Sequence, residues 1–256
     1  LDEIFDAKAL RAHRTRAAGR LASVQPLLDD LADRLLDRLD DMRQRFDLAL
    51  DLGGRGSVAP KLRARGMAVI SADISAPMAL CAGGAPVCVA AELLPFAAQK
   101  FDLVVASFSL HWINDLPGVL IQLRRALKPG GLLLASMPVL GTLGSLRDAL
   151  LEAEDALTGA VSPRLSPFPD LKDCAGLLQR AGFAVPVADV EDIELLYANP
   201  FALLQDLRAA GETNAVLARR KTIPHRGMVP MALAALPQRD GRYVALLRMA
   251  TMTGWG

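Results

Sequence analysis

Cysteine is scarce in this chain of 256 residues: Cys81, Cys88 and Cys174 are the only three. They are odd in number, far apart and form no Cys-x-x-Cys pair. That excludes a disulfide framework and speaks against a zinc site. Reduced thiols make a cytoplasmic location the expectation. Histidine is as rare, at three residues, and the three are dispersed without neighbouring carboxylates. No metal centre of the two-His-one-carboxylate type is therefore expected. Aromatics make up only 5% of the chain, so its 52% apolar content is largely Leu and Ala, which favour helix. No apolar run reaches the roughly 18 residues that span a bilayer. Glu3 and Asp6 near the N-terminus, with no apolar stretch behind them, give no sign of a signal peptide. Neither sign of charge dominates: 29 Lys and Arg face 28 Asp and Glu. A dedicated nucleic-acid surface is not expected from that balance.

What is present is organised around Leu48-Ala49-Leu50-Asp51-Leu52-Gly53-Gly54-Arg55-Gly56-Ser57. A short apolar run ends in an acid and a glycine cluster, and a helical pattern follows. This is how a first strand feeds a nucleotide-binding turn. Glycine lacks a Cβ, so the backbone can turn tightly and approach a ligand. The absence of Gly-Lys-Ser/Thr argues against a nucleoside triphosphate loop. Met67 to Asp73 reads as a second strand ending in an acid. An acid about 20 residues past a glycine turn commonly accepts hydrogen bonds from ribose hydroxyls. Together the two features point to an adenosine-type ligand.

The rest of the chain alternates in the same manner. Residues 4–20 form a basic arm, expected to be either a solvated helix or a lid over the ligand site. Pro26 opens a helix whose Leu27, Leu28, Leu31, Leu35 and Leu39 recur at helical spacing, which predicts packing on a sheet. Strands are expected at Pro86–Ala90, Phe101–Ser107 and Leu132–Met137. The strand Phe101–Ser107 is apolar on both faces and hence central. Asp115 caps a helix that Lys128-Pro129-Gly130-Gly131 stops. Helices are predicted at Leu143–Leu157 and Asp170–Ala181, around a Pro-rich loop at 162–169. Strands at Phe183–Tyr197 and Arg242–Thr251 enclose a helical stretch at 200–236. Strands alternating with helices imply a parallel sheet with crossovers. The division expected is an N-terminal helical arm over residues 1–45 and a main domain over 46–256, with helical insertions at about 143–182 and 200–236.

Five segments carry a family likeness: Asp51-Leu52-Gly53, Ser71-Ala72-Asp73-Ile74-Ser75, Glu92-Leu93-Leu94-Pro95-Phe96, Phe101-Asp102-Leu103-Val104 and Leu127-Lys128-Pro129-Gly130-Gly131. In order and spacing they resemble class I S-adenosylmethionine-dependent methyltransferases. The resemblance implies an α/β, Rossmann-like methyltransferase fold: a seven-stranded, mostly parallel sheet with an antiparallel last strand, here with a helical lid. A narrower likeness runs through Ile4-Phe5-Asp6, Leu110 to Gly118, Ser162-Pro163-Arg164, Leu178 to Phe183, Gly211-Glu212-Thr213-Asn214 and Thr253-Gly254-Trp255. These stretches look like the complex I assembly factor family, whose mitochondrial member is credited with hydroxylating an arginine on a complex I subunit. The enzyme that methylates malonyl-carrier protein is a more distant cousin by the same motifs.

The methyltransferase resemblance implies S-adenosylmethionine as cofactor and assigns roles. Gly53 and Gly54 would face its methionine part, with Asp51 orienting the turn or meeting the ammonium. Asp73 would hold the ribose hydroxyls. Ile74 and Met78 would wall the adenine, Glu92 and Leu93 would pass its edge, and Ser107 would lie beneath the transferring methyl. Two departures stand out. The usual Gly-x-Gly-x-Gly has Arg55 and Ser57 at its later glycines, and the usual acid two residues before Glu92 is Ala90. His111, just after the fourth strand, is the candidate base, set against a packed, hydrogen-bonded ring. Trp112 is the candidate pocket wall. Arg164 would hold a carboxylate or partner, or form a structural ion pair. Tyr197, Arg208, Glu212 and Asn214 are candidates for the substrate side. Methyl transfer leads; arginine hydroxylation on a complex I subunit and a non-catalytic assembly chaperone are its rivals.

Overall fold

The structure, a computed structural model, describes residues 3–90 and 92–256. The first helices are α1 (Ala7–Ala18) and α2 (Gln25–Leu36). There follow β1 (Leu48–Leu52), α3 (Val58–Ala64), β2 (Ala68–Asp73), α4 (Ala76–Cys81) and β3 (Ala85–Cys88). Next come β4 (Phe101–Ser107), α5 (Leu116–Ala126), β5 (Leu127–Pro138), α6 (Gly144–Thr158) and α7 (Leu171–Arg180). The chain closes with β6 (Ala184–Tyr197), α8 (Pro200–Ala209), α9 (Met228–Ala234), β7 (Gln238–Arg239) and β8 (Arg242–Trp255).

The sheet order is β3-β2-β1-β4-β5-β8-β6, with the two-residue β7 pairing only β8. β1 pairs in parallel with both β2 and β4, while β8 runs antiparallel to β5 and β6. The expected mostly parallel sheet with an antiparallel last strand is thus observed. Strand order reverses between β1 and β4, and ligands of open α/β sheets gather outside the strand ends at such a switch point.

β4 shows why both faces had to be apolar. Val104 and Ala106 join a core with Leu120 and Leu123 of α5 and Leu178 of α7. Leu103 and Val105 join the opposite core, with Leu35 and Leu36 of α2 and Leu62 of α3. α2 therefore packs on the sheet, as its leucine spacing required. A third cluster, including Leu146, Leu150, Met228 and Leu247, seats α6 and α9 against β8.

Several boundaries differ from expectation, among them the end of β8, which runs to Trp255. β5 begins at Leu127, opposite Phe101, with a register shift before Leu103. The Lys-Pro-Gly-Gly run is therefore a bulged strand entry, and Gly130, at φ +74°, takes the left-handed step. Between α8 and α9 the chain is irregular instead of helical, as Gly211 and Pro224 allow.

The Pro-rich loop is tied to α6 by one carboxylate. Glu154 is fully buried, accepts from Arg164 Nε at 2.9 Å and from the Ser162 backbone N–H at 3.1 Å, and lies within 3.4 Å of Arg220. Arg164 is therefore a structural partner, one of the alternatives held open for it. Its hydrogen bond holds the Glu154 carboxyl down to about 2, below the usual 4.5. A depressed folded value means this stabilisation is complete above about pH 4.5 and vanishes as pH falls toward 2. Arg164→Ala should cost about 3 kcal/mol by stranding a buried charge. Thermal melts at neutral pH are expected to drop by roughly 6–12 °C. The deficit relative to wild type should shrink as pH falls toward 2.

Candidate functional site

The arm is a lid. Phe5 bridges Val216 in antiparallel fashion, and the Ile4 and Phe5 N–H groups both donate to Asn114 Oδ1 at 2.8 Å. Asp6 caps α1 by accepting from the Ala9 N–H at 3.0 Å. Phe5 meets Trp112 edge-on, with ring centroids 5.3 Å apart. His13 is half-buried and its Nδ1 lies 3.0 Å from the Thr213 carbonyl.

Beneath the arm, at the ends of β1 and β2, charged side chains meet out of water. Asp73 is 3% exposed and Arg14 4%. Arg14 donates from Nε to Asp73 Oδ2 at 3.1 Å, pairs with the same oxygen through Nη2, and donates from Nη2 to the Gly53 carbonyl at 2.7 Å. Arg14 Nη1 is buried without a partner, and so are both carboxyl oxygens of Asp51. Burial pushes the Asp51 carboxyl up to about 7, against the pull of Arg14. Gly53, at φ +75°, carries its backbone against Ser109, where a Cβ would overlap that side chain. A Cβ on Gly54 would strike the Asp51 carboxylate. The glycines are thus required by the protein's own side chains at the turn. Leu10, Arg14, Gly53, Asp73, Ile74 and Trp112 border a cavity of about 60 Å³, room for a few water molecules.

A second cavity, of about 200 Å³, lies beyond Trp112 and has mainly apolar walls, among them Phe108, Leu146, Phe168, Leu207 and Leu247. His111 and Glu212 also line it. His111 sits in a single 3₁₀ turn, Leu110–Trp112, and is 4% exposed. Glu212 lies 2.7 Å from His111 Nε2, accepts from Trp112 Nε1 at 2.8 Å, and pairs with Arg55. Burial works to raise the Glu212 carboxyl, but His111 and Arg55 beside it bring it down to about 2. An ionised Glu212 fixes the proton on Nε2 and leaves Nδ1, buried and without a partner, as the free ring nitrogen.

Arg55, a departure from the glycine pattern, is a clamp. It donates to the Ala210 carbonyl at 2.9 Å and the Phe108 carbonyl at 2.8 Å, with its guanidinium carbon 5.3 Å from the Phe108 ring centroid. It thereby ties the glycine turn to the end of α8 and to Phe108, which itself adopts a left-handed φ of +52°. Ser57, the other departure, accepts from Gln25 Nε2 at 2.6 Å.

Residues 50–135 match a methyltransferase domain family. The arginine-hydroxylase NDUFAF5 of human mitochondria is 35% identical over 98% of this chain and 76% of its own length. The malonyl-[acyl-carrier protein] O-methyltransferase of Xylella fastidiosa is 36% identical over 92% of this chain and 82% of its own. The chain belongs to this methyltransferase-domain family. Among solved structures, YcgJ of Bacillus subtilis superposes with a TM-score of 0.58 at 14% identity, over 86% of this chain and 97% of its own. Phosphoethanolamine N-methyltransferase 2 of Haemonchus contortus, solved with S-adenosyl-L-methionine, gives 0.52 at 21%, over 88% of this chain and 52% of its own. At those identities the two structures speak for the fold.

In this chain the residues expected at the site divide into two sets. Gly53, Asp73, Ile74, His111 and Trp112 converge at the two cavities, with Asn214 and Arg164 on the wall of the larger, while Asp51 borders neither and lies against Gly54 beneath the turn. Met78 is fully buried with Ala17, Val24 and Leu28, as core under the arm. Glu92 accepts from the Asn114 N–H at 2.9 Å, Leu93 is 74% exposed, and neither borders a cavity described above. The Ser107 carbonyl faces Arg55 at 3.4 Å. Tyr197 donates to Asp206 at 3.0 Å, behind Phe108 and away from the larger cavity. Among the described residues, no helix is long and apolar enough to cross a membrane, and no group of three or more His, Cys, Asp or Glu is placed to hold a metal.

The unpaired Asp51 should show in stability. Its folded value lies above the unfolded 3.8, so the destabilisation builds as pH rises from about 3.8 and is complete above about 7. Asp51→Asn is expected to raise the melting temperature relative to wild type at about pH 8, and much less at about pH 5. An equal effect at both values would contradict the burial of a lone carboxyl.

Proposed function

We propose that this protein transfers a methyl group from S-adenosylmethionine to an acceptor held in the cavity over His111. The observation that carries this reading is the adjacency of the two cavities, which share Trp112 as a wall at the switch point of the sheet. The residues of the smaller cavity suit the cofactor. Asp73, on its wall, is an acid at the end of β2 suited to ribose hydroxyls, and Asp51, buried under the adjoining glycine turn with neither oxygen partnered, is the nearby acid for an ammonium group. S-adenosylmethionine brings a methyl group already activated on a sulfonium. The protein's part is then alignment, exclusion of water and removal of a proton from a neutral acceptor. His111 Nδ1 takes that proton while Glu212 holds the ring by Nε2 and stabilises the imidazolium.

The likeness to the arginine hydroxylases supports a second reading, oxygenation of an arginine on a protein partner such as a complex I subunit. Product mass separates the two, because methylation adds a methylene and hydroxylation an oxygen. Methyl transfer requires S-adenosylhomocysteine to accumulate with a suitable acceptor. Asp73→Ala should abolish that turnover in folded protein, and unchanged turnover would refute the cofactor assignment. His111→Gln should lower kcat by about 10²–10⁴ for an acceptor that must lose a proton. A loss confined to KM would remove His111 from proton transfer.

A further inference from the structure

We propose that Arg14 changes partner when the cofactor binds: it yields Asp73 to the ribose hydroxyls and takes the carboxylate of the cofactor's amino-acid end. This rests on the S-adenosylmethionine reading above and adds to it a specificity-determining residue from the arm.

The ligand-free geometry sets up the exchange. The smaller cavity has no room for a nucleoside while the Arg14 guanidinium lies on Asp73. Something must yield, and Arg14 can do so with little loss. The arm is held by the Phe5–Val216 bridge, the Asn114 contacts and the Asp6–Arg219 ion pair, all independent of the guanidinium. Nη2 already reaches the glycine turn through the Gly53 carbonyl, so only a short swing of the side chain is needed.

Charge decides where it goes. Arg14 Nη1 and the Asp51 oxygens are buried without hydrogen-bond partners, and the Arg14 charge acts on the Asp51 carboxyl. An α-amino-acid head group carries the two complements, an ammonium for Asp51 and a carboxylate for Arg14. A guanidinium binds a carboxylate through paired N–H donors. The other buried guanidinium at the site, Arg55, is already committed to Glu212 and to the carbonyls of Ala210 and Phe108. Arg14 is thus the cation that can accept a new anion.

The exchange predicts effects of opposite sign for two ligands. Calorimetric titration of the whole chain would use S-adenosylhomocysteine, its decarboxylated analogue and 5′-methylthioadenosine, which lacks the amino-acid end. Arg14→Ala should weaken S-adenosylhomocysteine about tenfold or more, the scale of one charge-assisted pair. The same change should tighten 5′-methylthioadenosine several-fold, because Asp73 is no longer occupied. Wild type should favour S-adenosylhomocysteine over the decarboxylated analogue about tenfold, and that preference should collapse in the variant. Should Arg14→Ala not fold, Arg14→Gln and the wild-type preference carry the test. Equal shifts for S-adenosylhomocysteine and methylthioadenosine, or a wild type indifferent to the carboxylate, would overturn the exchange while leaving the cofactor reading intact. Failure of all three ligands to bind wild type and variant alike would overturn both.

Discussion

Buried charge is the constraint on which the working end of this protein depends. Asp51, Asp73, Arg14, Arg55 and Glu212 are all withdrawn from water at the rim of one sheet. An isolated charge is costly there, so each ion must find a counter-charge within reach. Most do: Arg14 meets Asp73, and Arg55 meets Glu212. Those two pairs join elements far apart in the chain, the arm to β2 and the glycine turn to the segment after α8. The rim is assembled by electrostatics, and the apolar core supplies the rigid strands from which the charges project.

The same constraint explains the departures from the family's glycine pattern. A glycine at position 55 would leave Glu212 without its guanidinium and the Phe108 turn without its clamp. Ser57 has a partner in Gln25, which anchors the start of α2. Both substitutions therefore have structural work inside this fold. Asp51 is the exception to the pairing, and its proton affinity is raised by burial, which outweighs the pull of Arg14 and Arg55. A group left unsatisfied among satisfied neighbours is where a ligand is expected to bind.

Much of this architecture could be read from local sequence. The apolar run Phe101–Ser107 announced a central strand, and Asp51, the glycines and Asp73 announced the ends of β1 and β2. His111 was legible because it follows β4 directly. Arg14 was not, because a run of arginines resembles a solvated face. Yet Leu10, Arg14 and Ala17 are the buried residues of α1, and they recur at helical spacing. A charge on an apolar stripe was the available signal. Glu212 is 101 residues from His111 and 157 from Arg55, so no local pattern could link them. The packing of Met78 was hidden for a related reason: its side chain lies beneath an arm whose docking depends on contacts distant in sequence.

The most direct test of this account is a crystal structure of the protein with S-adenosylhomocysteine. The account predicts ribose hydroxyls on Asp73, the ammonium on Asp51, and the Arg14 guanidinium moved onto the ligand carboxylate. A ligand bound with Arg14 still paired to Asp73, or seated away from the ends of β1 and β2, would contradict it.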